Sequence, residues 1–218
     1  MLTGRVTSGS RVLKRLIELG WGRMYNKGDH PETVDPYPGE PWGLDNGAYA
    51  DGTTGRQFDA DHYMRRLDHA HATGLVPYIN VVPDIYGGKG MYSGVKSLEM
   101  SYNWIDKMPN EWPNYLVVQD RMTQQEVSWV LDKFDGIFVG GSDSFKGTSV
   151  VWGILARQHG IPLHIGRAGT LNAVRHARRV QADSIDSTTF LWTAERFDNM
   201  VAYINDEDPQ QTLIEDRQ

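Results

Sequence analysis

Short apolar runs alternate along the chain with longer stretches whose apolar positions recur at helical spacing. The runs GRMYN (22–26), WGLD (42–45), VPYINVV (76–82), YLVVQ (115–119), GIFVGG (136–141), PLHIG (162–166) and ADSID (182–186) read as strands. Helical patterns fall at 11–19, 58–72, 123–133, 144–159, 170–179 and 195–204. Phe58, Tyr63, Met64 and Leu67 mark an apolar face in the second of these, and Gly74 marks its end. Thr123 followed by Glu126 forms a capping-box signature that opens the third. Regular β/α alternation predicts a single α/β domain over 1–205, a compact TIM-like (β/α) barrel of seven or eight units, complete or incomplete. A doubly wound open sheet is the structural alternative.

Two Gly/Pro-rich segments interrupt the pattern. Residues 28–41 read as a long loop, and 86–94, with Gly87, Gly88, Gly90 and Gly94, as a flexible lid. The tail 206–218 is expected to be flexible. No internal repeat is evident, and no apolar run approaches the roughly 20 residues of a membrane span. No signal-peptide pattern opens the chain, so a cytoplasmic location without membrane partners is expected.

Charge changes this picture only locally. The net charge is −6, but the acidic tail holds −4 of it, so the body is nearly balanced. Arg11/Lys14/Arg15, Arg65/Arg66 and Arg175/Arg178/Arg179 read as basic helix faces that permit a polyanionic partner without requiring one. Zero cysteines exclude disulfides, thiolate catalysis and a cysteine zinc cluster. The histidines show no ligand spacing, so neither metal nor cofactor is expected. GGSDSFKGTS departs from a phosphate loop by its Lys-Gly-Thr order, and no Gly-x-Ser-x-Gly elbow is present.

The candidate chemistry lies where the strand-like runs end. There stand Asp45-Asn46-Gly47, Asp84, Gln119-Asp120, Gly140-Gly141, Gly166-Arg167 and Asp186-Ser187. In a parallel barrel these positions share the rim that carries active sites. Helix capping explains one or two such residues, not the set. Gly140-Gly141 with Lys146 and Arg167 can also meet a phosphate. Tyr49, Tyr86 and Tyr92 flank the set as stacking candidates.

In the order LDNGAYA, VVPD, YLVVQD, FVGGSDSFKG, HIGRAG and ADSIDST, the segments resemble the tRNA-guanine transglycosylase superfamily over about two thirds of the chain. The DNA-acting members of phages and of bacterial 7-deazaguanine DNA modification are included in that likeness. The resemblance implies Asp186 as the nucleophile at a nucleoside C1′ and Asp45 as general acid/base. It implies Asp84 and Gln119 as readers of a guanine-like edge, with Gly140 and Gly141 close to the same base. Asn46 and Tyr49 beside Asp45, and Lys146 and Arg167 toward the backbone, complete the expected substrate-binding set. The family's zinc cluster has no counterpart here, and STTFLW and Asn-Gly-Ala-Tyr replace its usual continuations. DNA is therefore the expected partner rather than tRNA, with a free deazapurine base as a second substrate if bases are exchanged.

The resulting expectation is a DNA glycosylase or transglycosylase working through an aspartyl–sugar intermediate, in phage DNA modification or anti-phage defence. Excision is favoured slightly over exchange. Within ADSIDST, Asp183 is expected to be structural. A phosphate-binding barrel acting on a small metabolite and a catalytically inactive nucleic-acid-binding module are the alternatives.

Overall fold

The computed structural model describes residues 1–3, 11–27, 34–86 and 94–205. Eight parallel strands close into a complete barrel in sequence order, which excludes both the open sheet and an incomplete barrel. The strands are β1 (Leu2–Thr3), β2 (Gly22–Tyr25), β3 (Gly43–Leu44), β4 (Ile79–Val81), β5 (Asn114–Val118), β6 (Gly136–Val139), β7 (Leu163–Ile165) and β8 (Ser184–Ser187). The N-terminal β1 was not anticipated. It lies between β2 and β8, with Leu2 opposite Gly22 on one side and Asp186 on the other.

Helices α1 (Arg11–Glu18), α2 (Ala48–Thr53), α3 (Ala60–Ala72), α4 (Gly94–Trp104), α5 (Gln124–Ser128), α6 (Asp143–Lys146), α7 (Val150–His159), α8 (Leu171–Arg179) and α9 (Ala194–Ile204) connect them. Side-chain caps start several helices, as Asp59, Thr123, Ser142, Thr170 and Thr193 each accept from a backbone N–H of the first turn. Thr123 and Glu126 form the full capping box. Their helix is shorter than its pattern promised and gives way to a 3₁₀ turn at Leu131–Lys133, which buries Leu131 and Phe134. The helix expected at 144–159 is two, because the chain turns at Gly147, Thr148 and Ser149, where the buried Ser149 hydroxyl bonds to His176 Nε2 at 2.7 Å.

Strand pleating separates two cores. Outward residues such as Leu44, Leu116 and Ile137 pack under the helices. Inward residues Leu2, Met24, Ile79, Val81, Tyr115 and Val117 fill the barrel, with Phe138 against them. Space there is short, so large residues face glycines across the register. Gly136 is paired with Tyr115, and a Cβ at Gly136 would lie 2.5 Å from that ring; a Cβ at Gly166 would lie 2.7 Å from Phe138. Such filling makes the barrel a packed floor beneath its C-terminal rim rather than a pore.

Among the described residues no helix is long and apolar enough to cross a membrane. The tail 206–218, Tyr92, most of the expected lid and part of the loop at 28–41 lie outside the described residues.

Gly136→Ala is expected to destabilise the fold by ~1–3 kcal/mol, because the added Cβ forces the buried Tyr115 ring to shift. Chemical denaturation checks this value, and an unchanged unfolding midpoint would show that the interior is looser than the register implies.

Candidate functional site

The C-terminal rim surrounds a cavity of about 310 Å³. Asp45, Asn46, Tyr49, Asp84, Gln119, Gly140, Gly141, Arg167 and Asp186 all line it, so strand closure gathers the sequence-derived set except Lys146. Asp45 extends the inward alternation of β3, Gln119 that of β5, and Asp186 is inward on β8.

Asp84 and Gln119 form the fixed wall. Asp84 Oδ1 accepts from Asn46 Nδ2 at 2.8 Å, and Oδ2 accepts from Gln119 Nε2 at 2.8 Å. Asn46 also donates to the Val82 carbonyl and accepts from Ala48 N–H, which locks its amide. Gln119 Nε2 lies within 2.8 Å of the Ile85 carbonyl and 2.7 Å of Ser97 Oγ. Burial pushes the Asp84 carboxyl up to about 7, with nearby Asp45 adding to the rise and the Asn46 and Gln119 donors opposing it. A carboxyl poised there can either accept or donate at neutral pH.

Asp45 begins the turn into α2. Its Oδ1 accepts from Gly47 N–H at 2.7 Å, and Gly47 needs its left-handed backbone (φ 85°) to close that turn. Desolvation raises the Asp45 carboxyl above its ordinary range, opposed by the Gly47 N–H and reinforced by repulsion from Asp186. Arg66, fully buried, donates to the Asp45 carbonyl at 3.1 Å and the Tyr25 carbonyl at 2.8 Å. The Arg65/Arg66 pair thus divides, with Arg65 in solvent and Arg66 a tether beneath Asp45.

Asp186 is held from two sides. Oδ1 accepts from Arg167 N–H at 3.0 Å, and Oδ2 lies 3.0 Å from His164 Nε2. Arg167 has a left-handed backbone (φ 55°), uncommon outside glycine and often found at functional sites. Its guanidinium donates to the Gly141 carbonyl at 2.8 Å and sits 4.4 Å over the Tyr49 ring, whose other neighbour is Tyr86 at 4.8 Å. Tyr86, Tyr49 and Arg167 therefore bridge the mouth. Asp183 is structural, accepting from Leu163 N–H at 2.8 Å. Neither Asp84 nor Asp186 caps a helix.

Lys146 departs from its expected role. It is buried, its amine makes no hydrogen bond, and its nearest carboxylate oxygen is Asp143 Oδ1 at 3.7 Å. An amine so covered does not reach a backbone phosphate. Burial, with Arg167 adding repulsion, lowers its proton affinity.

Sequence reading missed Ser97, Arg66 and His164. Ser97 lies in α4, whose inward positions are partly serines bonded to the β4 loop, so no apolar stripe announced the helix. Arg66 was hidden in a basic pair. His164 left a weak signal, a lone polar residue at an inward position of an apolar strand.

The chain matches no protein-family model and no curated protein.

Because Asp84 keeps its proton in the folded state after the unfolded chain has lost it, stability should fall as pH rises from about 4 to 7. The slope from this group is at most roughly 1.4 kcal/mol per pH unit. Asp84→Asn should flatten the curve, as measured by denaturant titrations at several pH values; an identical slope in the variant would refute the assignment.

Proposed function

We propose that this barrel cleaves the N-glycosidic bond of a nucleobase in DNA, with Asp186 as nucleophile and Asp45 as acid/base. The supporting observation is two separately held carboxylates on one cavity, Asp186 between the Arg167 N–H and His164 Nε2, and Asp45 raised by burial toward its protonated form. Their unlike environments suit a nucleophile and an acid, the division of labour of a retaining glycoside hydrolase.

Asp186 attacks C1′ as the bond to the base breaks, and the electron pair leaves with the base nitrogen. Asp45 gives its proton to the departing base. Water then adds to C1′, Asp45 takes back a proton from it, and the Asp186 carboxylate departs with the bonding pair. The products are free base and an abasic sugar. Entry of a second base in place of water gives exchange by the same steps.

Asp84, Asn46 and Gln119 offer the fixed polar edge a flipped base requires. Tyr49, with Arg167 over its ring, supplies the aromatic face beside it. Gly140 and Gly141, without side chains, permit close approach at the rim. The likeness to tRNA-guanine transglycosylases, and a guanine-like or modified base as the substrate, belong to this proposal. A small-metabolite phosphate site has less support, since Lys146 is covered and Arg167 is engaged with Tyr49 and Gly141.

Incubation with unmodified and hypermodified DNAs, followed by chromatography of released base and alkali cleavage of abasic sites, tests the reading. Asp186→Asn should lower release at least ~10³-fold and Asp45→Asn ~10²–10⁴-fold. Label incorporation without strand fragility would mark exchange. No release or incorporation with any DNA, or full activity in Asp186→Asn, would reject the proposal.

A further inference from the structure

Beneath Asp186 runs a hydrogen-bonded column that has no part in the steps proposed above. His164 Nε2 is 3.0 Å from Asp186 Oδ2, and His164 Nδ1 is 2.8 Å from Ser184 Oγ. His164 has no exposed surface, and Phe138 stacks on its ring with centroids 4.6 Å apart at 27°. Neighbouring strands β7 and β8 set the spacing, because His164 and Ser184 are direct register partners and Asp186 is the next inward residue above Ser184.

The trio has the composition of a serine-hydrolase triad but runs the other way. Ser184 is buried in the barrel and does not line the cavity, whereas Asp186 does. The reactive end is therefore the carboxylate. A nucleophilic carboxylate only accepts, so the role proposed for Asp186 places the Nε2 proton in the bond between them, and the Ser184 hydroxyl then supplies the hydrogen at Nδ1. Phe138 fixes the ring plane, so the donor has little freedom to turn away.

We propose that His164 is a positioning residue for Asp186 that chiefly accelerates the second half of the reaction, a role that rests on the function proposed above. During attack, one Asp186 oxygen bonds to C1′ and the other becomes the ester carbonyl, so a donor on the carboxylate aids orientation but costs nucleophilicity. During breakdown, the C1′–O bond breaks and the electron pair returns to the carboxylate. His164 N–H and Arg167 N–H then meet the returning charge, and stabilising a leaving group speeds its departure. The two effects oppose in the first step and reinforce in the second.

His164→Leu removes the donor, whereas His164→Gln keeps an N–H in place of Nε2. Rapid-quench kinetics on a DNA that the wild type cleaves should show His164→Leu releasing one equivalent of base in a burst, then turning over roughly 10–100-fold more slowly. Its kcat should fall with kcat/KM nearly unchanged. His164→Gln should stay within about threefold of wild type, on the premise that its amide preserves the positioning bond. Unchanged turnover in His164→Leu, or equal loss in both variants without a burst, overturns the proposal.

Imidazole ¹⁵N–¹H spectra give a readout independent of activity. They should show a protonated Nε2 in the wild type and its loss in Asp186→Asn, whose amide can donate instead; a protonated Nδ1 with a bare Nε2 in the wild type also overturns the proposal. Base release by Asp186→Asn, or none by the wild type, rejects the underlying reaction instead. Release that needs Asp186 but ignores His164 rejects only this inference.

Discussion

The two-residue strand Leu2–Thr3 is the contact on which the site depends. It bonds to β2 and to β8, and Leu2 lies opposite Gly22 and Asp186 at once. Without that closure β8 would be an edge strand, separated from β3 by the whole remaining sheet. With it, Asp186 returns to the neighbourhood of Asp45, and the carboxylates act on one another through space. Gly22 makes the closure tight, since a Cβ there would run into the Pro41 carbonyl and crowd Leu2.

A filled barrel beneath the rim then governs the chemistry. Leu2, Met24, Tyr115 and Phe138 pack the barrel below the cavity, so on that side the carboxylates meet the donors the fold provides. Asp186 has the Arg167 N–H and His164 Nε2, Asp84 has two amides, and Asp45 has the Gly47 N–H together with the remote charge of Arg66. Burial outweighs these donors at Asp45 and Asp84, whose proton affinities rise.

Much of this was legible in the sequence. Alternation of strand and helix patterns gave the parallel architecture, and polar residues directly after apolar strands marked the rim. Asp45, Asp84, Gln119 and Asp186 stand out because a carboxylate or amide at a strand end has no role in an apolar core, and the fold brings them to one cavity. What stayed hidden has physical causes. Leu2–Thr3 is too short to show a period, and α4 buries Ser97 and Ser101 where a stripe would carry leucines. Arg66 and Lys146 look like surface charges in sequence, and only the fold shows both buried. His164 opens the HIGRAG segment with no role of its own implied there, and its partnership with Asp186 comes from the β7–β8 register.

In the proposed reaction Asp186 becomes covalently bonded to a DNA sugar. A 2′-fluoro substituent slows both steps by destabilising positive charge at C1′, which lengthens the life of a glycosyl ester. Denaturing mass spectrometry of the protein after incubation with 2′-fluorinated DNA, followed by peptide mapping, reads the bond directly. The proposed reaction requires an adduct confined to the peptide carrying Asp186 and absent from Asp186→Asn. An adduct on another residue, or base release in which no protein–DNA species forms, would contradict it.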